Sequence, residues 1–207
     1  MGLLVPPVVE PGAMASRDQP VLVVDDHLLL RPWTAADAPF VVEAYSDPEI
    51  QHWHFRRYDT VDKARAWIEA ELAGWTNETA ASWVIARGSP DEPIGRLALY
   101  PVLKDGHAEI SYWLLPRARG LRVATRCAVA ATAWAHSLGL HRVALEHSTR
   151  NARSGRVAIR AGFVSEGIRR GANLHDDGWH DMHLYAHLST DNQPTPTGPP
   201  DRRRAHE

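Results

Sequence analysis

The sequence predicts an α+β fold in which one mixed, mostly antiparallel sheet carries helices on its faces. Three observations point there. Apolar runs in the middle of the chain are joined by tight turns into a meander; a strand–helix–strand–helix–strand order follows; and residues 123–138 carry the clearest helical periodicity in the chain.

Taken in order, residues 21–24 and 27–31 are β-leaning apolar runs separated by the turn signal Asp25-Asp26, which predicts a strand or hairpin. Thr34 can cap a helix over 35–46. Thr60 can cap a second, running to about residue 73, with Ala64, Trp67, Ile68 and Leu72 on one face. Residues 82–87 and 94–100 read as strands joined by the turn SPDEP, and 107–115 as a third strand ended by Pro116. In the helix at 123–138, Val123, Cys127, Ala130, Ala131, Trp134 and Leu138 form the apolar stripe and Gly139 supplies the stop. Residues 142–148 form a strand, Asn151 caps a helix over 152–161 stopped by Gly162, and 163–166 with 183–188 close the sheet.

The chain has 207 residues, 44% hydrophobic and 23% charged, the balance of a globular protein, and 21–190 reads as one domain. Residues 1–20, with four prolines, and 191–207, rich in proline and polar groups, read as disordered tails. No apolar run approaches the roughly 20 residues needed to span a bilayer, and the N-terminal stretch lacks a basic leader, so neither a membrane association nor secretion is expected. A single cysteine, Cys127, excludes an internal disulfide framework and fits a reducing compartment, the cytoplasm. Its place on the apolar stripe argues against a nucleophile. The net charge of −2 argues against a nucleic-acid partner; a homodimer stays open.

Two segments carry chemistry. YWLLPRARGLRVAT, at 112–125, joins a strand to the long helix through a turn holding Arg117, Arg119, Gly120 and Arg122. Helix-start N–H groups backed by the helix dipole and guanidinium groups can hold a phosphate, although such junctions also occur as plain basic turns. In NARSGRVAIRAGF, at 151–163, Ser154 lies three, four and seven residues before Val157, Ala158 and Ala161 and so faces the packed side. A hydroxyl there can donate into a cleft or satisfy the helix start. Gly155 inside this helix costs about 1 kcal/mol of propensity, a hint that something approaches closely.

Jointly, the Arg-Gly turn opening a long helix, a strand ending near Asn, and NxxSxRVxxxxGF resemble the GNAT N-acetyltransferase superfamily, in its ribosomal-protein N-terminal acetyltransferase branch. The likeness spans about 28–188 and includes LRPW at 30–33, EISYWLLP at 109–116, LGLHRVALEHSTRNARS at 138–154, AGFVSEGIRR at 161–170 and GWHDMHLYAHL at 178–188.

The resemblance implies a GNAT fold with a splayed pair of parallel central strands and acetyl-CoA as acyl donor. It implies that Arg119, Gly120, Leu121, Arg122, Val123, Ala124 and Thr125 cradle the cofactor pyrophosphate. A backbone N–H near Leu114 would polarise the thioester carbonyl, Asn151 would contact the pantetheine arm, Ser154 would protonate the leaving thiolate, and Arg156 would reach the nucleotide phosphates. The chain departs from the family turn at Arg122, where glycine is usual; an outward-swung side chain there would add a charge without blocking the backbone. The acceptor pocket would be lined by Trp53, His54, Phe55 and Tyr58, in the loop between the first two helices.

An attacking amine must be neutral, so a base should take its proton. Glu109, on the same strand face as Ser111 and Trp113, is the first choice, with a structural charge pair or a strand-end group in water as the equal alternative; Glu146, His147 and Asp181 are in reserve. No metal is expected: His180, His183 and His187 cluster late and His52 and His54 alternate on an extended segment, but His183 and His187 share a strand face too far apart to chelate, and no cysteine or helical HxxxH with a carboxylate supports them. The expected function is direct acetyl transfer to a primary amine of a small molecule or a peptide or protein N-terminus. The alternatives are a non-catalytic acyl-CoA-binding or regulatory module and an aminoacyl-tRNA acetyltransferase.

Overall fold

The computed structural model describes residues 4–88 and 90–191. Eight strands form one sheet: β1 (Leu22–Asp25), β2 (Leu28–Pro32), β3 (Ala81–Arg87), β4 (Glu92–Val102), β5 (His107–Leu114), β6 (Arg142–Ser148), β7 (Val164–His175) and β8 (Gly178–Leu188), in the spatial order β1-β2-β3-β4-β5-β6-β8-β7. Five α-helices cover it: α1 (Ala38–Ala44), α2 (Pro48–His54), α3 (Val61–Thr76), α4 (Val123–Ser137) and α5 (Ala152–Arg160). The predicted mixed, mostly antiparallel α+β architecture is observed, with β5 and β6 the parallel pair.

Local chemistry sets the boundaries. Asp47 accepts from the N–H groups of Glu49 and Ile50 and Pro48 occupies the first helical position, so 47–54 forms α2 where the sequence suggested a loop. The predicted first helix is divided: a 3₁₀ turn over Ala35–Asp37 precedes α1. Thr60 caps α3 by accepting from Lys63 N–H at 3.3 Å, and Asn151 caps α5 by accepting from Ser154 N–H at 3.1 Å. β7 and β8 are each much longer than predicted, because a two-residue Asp176-Asp177 turn lets the hairpin run on beyond 166 and begin before 183.

The sheet separates two cores. On one face Trp83, Leu97, Leu99, Ile110 and Leu145 pack against the small-residue stripe of α4, namely Cys127, Ala128, Ala131 and Ala135; Ala130, Trp134 and Leu138, placed on that stripe by periodicity, are only half-buried. On the other face Trp33, Phe40, Tyr45, Trp67, Ile68 and Trp113 form an aromatic-rich core under α1 and α3, from which Leu72 is excluded.

The N-terminal segment corrects the expectation of a tail. Met14 is fully buried and Val9 nearly so, both in the α4-side core. The Glu78 carboxylate accepts from Gly12 and Met14 N–H, each at 2.7 Å, while the indole N–H groups of Trp75 and Trp83 donate to the carbonyls of Arg17 and Pro20, each at 2.8 Å. Prolines suppress periodicity without preventing order when tryptophan side chains supply the hydrogen bonds. The predicted C-terminal tail lies, apart from Asp191, outside the described residues.

Candidate active site

The site begins where the sheet comes apart. β5 and β6 pair only at His107↔Arg142, Ala108↔Val143 and Glu109↔Ala144, whereas β4 pairs with β5 along its length and β8 with β6 likewise. Beyond Glu109 the two inner edges diverge. Leu115 N–H donates to the Ile94 carbonyl at 2.9 Å, so the alternation of the antiparallel ladder turns the N–H groups of Tyr112 and Leu114 away from β4 and into the split.

The split opens into a cleft of about 610 Å³. Its floor is the start of α4. Gly120 and Arg122 both adopt left-handed backbone, with φ of 80° and 57°, and the first intrahelical bond of α4 is Arg126 N–H to Arg122 carbonyl. The N–H groups of Val123, Ala124 and Thr125 therefore have no helical acceptor, and the Arg122 side chain does not cap them. Arg122 holds the conformation glycine favours while its side chain is exposed at the cleft.

The arginines divide into two groups. Arg119 is committed to the wall: it donates to Glu49 at 2.7 Å, to Asp47 at 2.9 Å and to the Leu114 carbonyl at 3.0 Å. Arg117 holds Glu43 and Glu92, and Arg153 holds Glu49. Arg122, Arg156 and Arg160 line the cleft with no ion-pair partner among the described residues, which leaves three cations beside the orphaned amides.

A smaller cavity of about 190 Å³ adjoins the cleft. Trp53, His54, Tyr112, Asn151 and Ser154 line both. At this junction Tyr112 Oη and Ser154 Oγ lie 2.7 Å apart, and either can donate to the other. Burial pushes the Tyr112 phenol up to about 12, against the opposing effect of the Ser154 hydrogen bond, so it keeps its proton at neutral pH. Ser154 thus faces inward as its spacing predicted. Tyr112 was not singled out by the sequence; only β alternation, which puts it on the face opposite Ser111 and Trp113, could have found it.

His54 also stands here. Burial first, then the neighbouring Arg96 cation, pushes its imidazole down to about 4, leaving it neutral near pH 7. Arg96 is itself buried, donating to Glu71 Oε2 at 2.5 Å and to Tyr100 Oη at 2.8 Å.

Glu109 lies in the smaller cavity and makes no ion pair or side-chain hydrogen bond among the described residues. The walls around it and then the Glu146 carboxylate raise its pKa, against the pull of Arg169. Glu146 accepts from Arg169 at 2.7 Å. His147 lines the same cavity, while Asp181 is engaged by Gly171 N–H and lies outside it. Trp53 and Phe55 line the cavity. Tyr58 does not: its ring packs on Tyr45 and Trp67 at 4.8 and 5.5 Å, because α2 turns it back toward the aromatic core. His183 and His187 diverge, one beside Ser165 and the other beside His136. Cys127 is buried, and burial raises its thiol pKa.

An anion can be met by unsatisfied helix-start amides and three cations, and an extended arm by strand N–H groups facing the split, so the residues present suit coenzyme A. No helix among the described residues is long and apolar enough to cross a membrane.

Residues 27–164 match the family model described as the acetyltransferase (GNAT) domain, a family that uses acetyl-CoA. The uncharacterized N-acetyltransferase YoaA of Bacillus subtilis (strain 168) is 25% identical over 164 residues, 78% of this chain and 93% of the relative. Among solved structures, the ribosomal-protein-S5-alanine acetyltransferase of Vibrio fischeri aligns with a TM-score of 0.75 at 18% identity, over 84% of this chain and 100% of that one. The microcin C7 self-immunity acetyltransferase MccE, in complex with acetyl-CoA and AMP, aligns with a TM-score of 0.73 at 19% identity, over 80% and 94%.

Proposed function

The chain belongs to the GNAT acetyltransferase family, and from that membership we propose that it moves the acetyl group of acetyl-CoA directly to a primary amine, of a small molecule or of a peptide or protein N-terminus. The observation that carries this reading is the junction: five residues line both the long cleft and the small cavity, so a donor lying in one meets an acceptor lying in the other.

When bound, acetyl-CoA supplies a thioester carbonyl open to attack by the amine. The orphaned amides of Val123, Ala124 and Thr125, with Arg122 and Arg156, hold the phosphates, while Asn151 and the split-facing N–H groups fix the arm. Leu114 N–H polarises the carbonyl oxygen. Glu109 takes the amine proton directly or through water, since it is the carboxylate in the acceptor cavity without a partner. Ser154 gives its proton to the departing sulfur, its hydroxyl oriented by Tyr112 at 2.7 Å, and solvent returns a proton to Ser154 as Glu109 releases the one taken from the amine. The proton lost by the amine and the proton gained by the thiolate thus pass through different side chains.

The small cavity, with Trp53 and Phe55 beside Glu109 and Glu146, supports an acceptor whose amine sits on a small or planar group. A degenerate, non-catalytic module is the less supported reading, because Arg122 keeps the left-handed turn that the phosphate cradle requires. Calorimetry with acetyl-CoA followed by a thiol-release assay over a panel of amines, peptides and aminoacyl-tRNA tests the assignment. Saturable binding with acceptor-dependent thiol release is expected; binding with no turnover on any acceptor would favour the module.

A further inference from the structure

Outside the junction, three side chains from two distant parts of the chain converge where the last turn of α2 meets the turn between β7 and β8. Ligand atoms of His52, His175 and Asp177 all lie within 4.8 Å of one another. We propose that these three residues form a binding site for a divalent transition-metal ion of the zinc type.

The observation beyond the cluster itself is His175. It is 7% exposed, and among the described residues both of its ring nitrogens are buried without a hydrogen bond of good geometry, although the His52 backbone lies beside the ring. A buried imidazole with neither its N–H nor its lone pair satisfied is costly, and buried polar atoms of this kind call for an unseen partner. A metal ion takes the lone pair, and two imidazoles with a carboxylate are a donor set that zinc accepts, with a fourth position left for water.

The surroundings are arranged as supports. His52 Nδ1 and Asp176 Oδ1 are 2.7 Å apart, so a neutral His52 donating there keeps its other nitrogen unprotonated. Asp177 is held by Arg150 through Oδ2 at 2.8 Å and by His180 through Oδ1 at 2.7 Å; His180 is anchored in turn by Ser148 Oγ at 2.8 Å. Each carboxylate oxygen retains a lone pair beyond these bonds. The His175 ring is fixed by stacking on His180, with centroids 3.9 Å apart. A tetrahedral zinc shell sets its ligand atoms roughly 3.3 Å apart, so the cluster must close by roughly 1.5 Å at most. Arg150 offsets part of the Asp177 charge, which points to micromolar rather than tighter affinity.

Such an ion would tie the end of α2 to the hairpin turn. Trp53 and Phe55 flank that end and line the smaller cavity together with His175, so the metal would fix the shape of one cavity wall without touching the Tyr112–Ser154 pair.

The test is a Zn2+ titration of the chelator-treated full chain by calorimetry, with thermal unfolding as a second readout. One Zn2+ per chain is expected, with a melting temperature raised by roughly 5 °C or more at a hundredfold excess over Kd. His52→Ala and Asp177→Asn, both at positions reaching solvent, should each weaken binding at least tenfold with unchanged circular dichroism. His136→Ala and His183→Ala should leave it intact. No stoichiometric binding, or wild-type affinity in either His52→Ala or Asp177→Asn, would overturn the proposal.

Discussion

Tyr112 and Ser154, on β5 and α5, bring their hydroxyl oxygens to 2.7 Å at the meeting point of the two cavities. If Ser154 delivers the proton to sulfur and Tyr112 only orients its hydroxyl, the two side chains differ in how much each is missed. Ser154→Ala should lower kcat about 10²–10⁴-fold while changing the KM for acetyl-CoA little, and Tyr112→Phe should lower kcat about tenfold. Steady-state thiol release measures both; unchanged kcat in Ser154→Ala would remove it from the chemistry.

Glu109 predicts a pH limb. Partial desolvation by the cavity walls, in a side chain that still reaches solvent, and then the Glu146 carboxylate raise its pKa above the ordinary glutamate range, and a base works only when ionised. Activity should therefore fall as pH drops through that raised pKa, and kcat/KM in Glu109→Gln should be low and flat across the same window. The stability contribution runs the opposite way. A raised carboxyl pKa favours the fold below its unfolded value, and that help is lost as pH rises through the folded one, so Glu109→Gln should be as stable as the parent in acid and more stable near neutrality. Kinetic and denaturation pH profiles check both signs.

Arg122→Gly separates backbone from charge. Relief of the left-handed conformation, partly offset by the extra freedom of glycine when unfolded, should raise stability by up to about 1 kcal/mol. Loss of the cation should weaken acetyl-CoA binding a few-fold at low salt, a difference that shrinks as salt screens it. Urea unfolding and calorimetry at two ionic strengths read the two effects. Tighter binding in the variant would mean that the side chain obstructs the cleft.

Gly155→Ala should destabilise the protein although alanine is the better helix former. A Cβ there would sit 3.1 Å from His147 Nε2 and 3.2 Å from Cε1. The ring has little room to yield, because its Nδ1 is 2.7 Å from the Ser148 carbonyl and it stacks on Tyr185 at 5.5 Å. A crowding cost of 1–3 kcal/mol against a propensity gain of about 1 leaves a net loss of about 1 kcal/mol. In a His147→Ala background the same change should become neutral or stabilising, which a double-mutant cycle in urea would reveal.

These residues also mark what could be read in advance. The inward face of Ser154 and the close approach at Gly155 followed from helical spacing and from the cost of an interior glycine, both local facts. The turns of the meander declared themselves through proline and acidic residues. Tyr112 did not, because its partner lies 42 residues away and the reading followed the opposite strand face, through Glu109, Ser111 and Trp113. Met14 was missed for a related reason: its burial depends on Glu78, Trp75 and Trp83, whose side chains reach the N-terminal segment only after the sheet forms. Tyr58 was misplaced because Asp47 and Pro48 nucleate an extra helix where a loop was expected. The convergence of His52 with His175 and Asp177 is invisible in one dimension for the same reason, since it needs the hairpin turn to fold back on α2.

The three rungs that join β5 to β6 make the sheet resemble a zipper halted partway. Extending the teeth would lend the molecule rigidity but seal the slot its chemistry needs, so robustness and turnover draw on the same few backbone hydrogen bonds. A guest lodged in the gap would lend both strands the partners they forgo with each other, and slower amide exchange there would record its arrival.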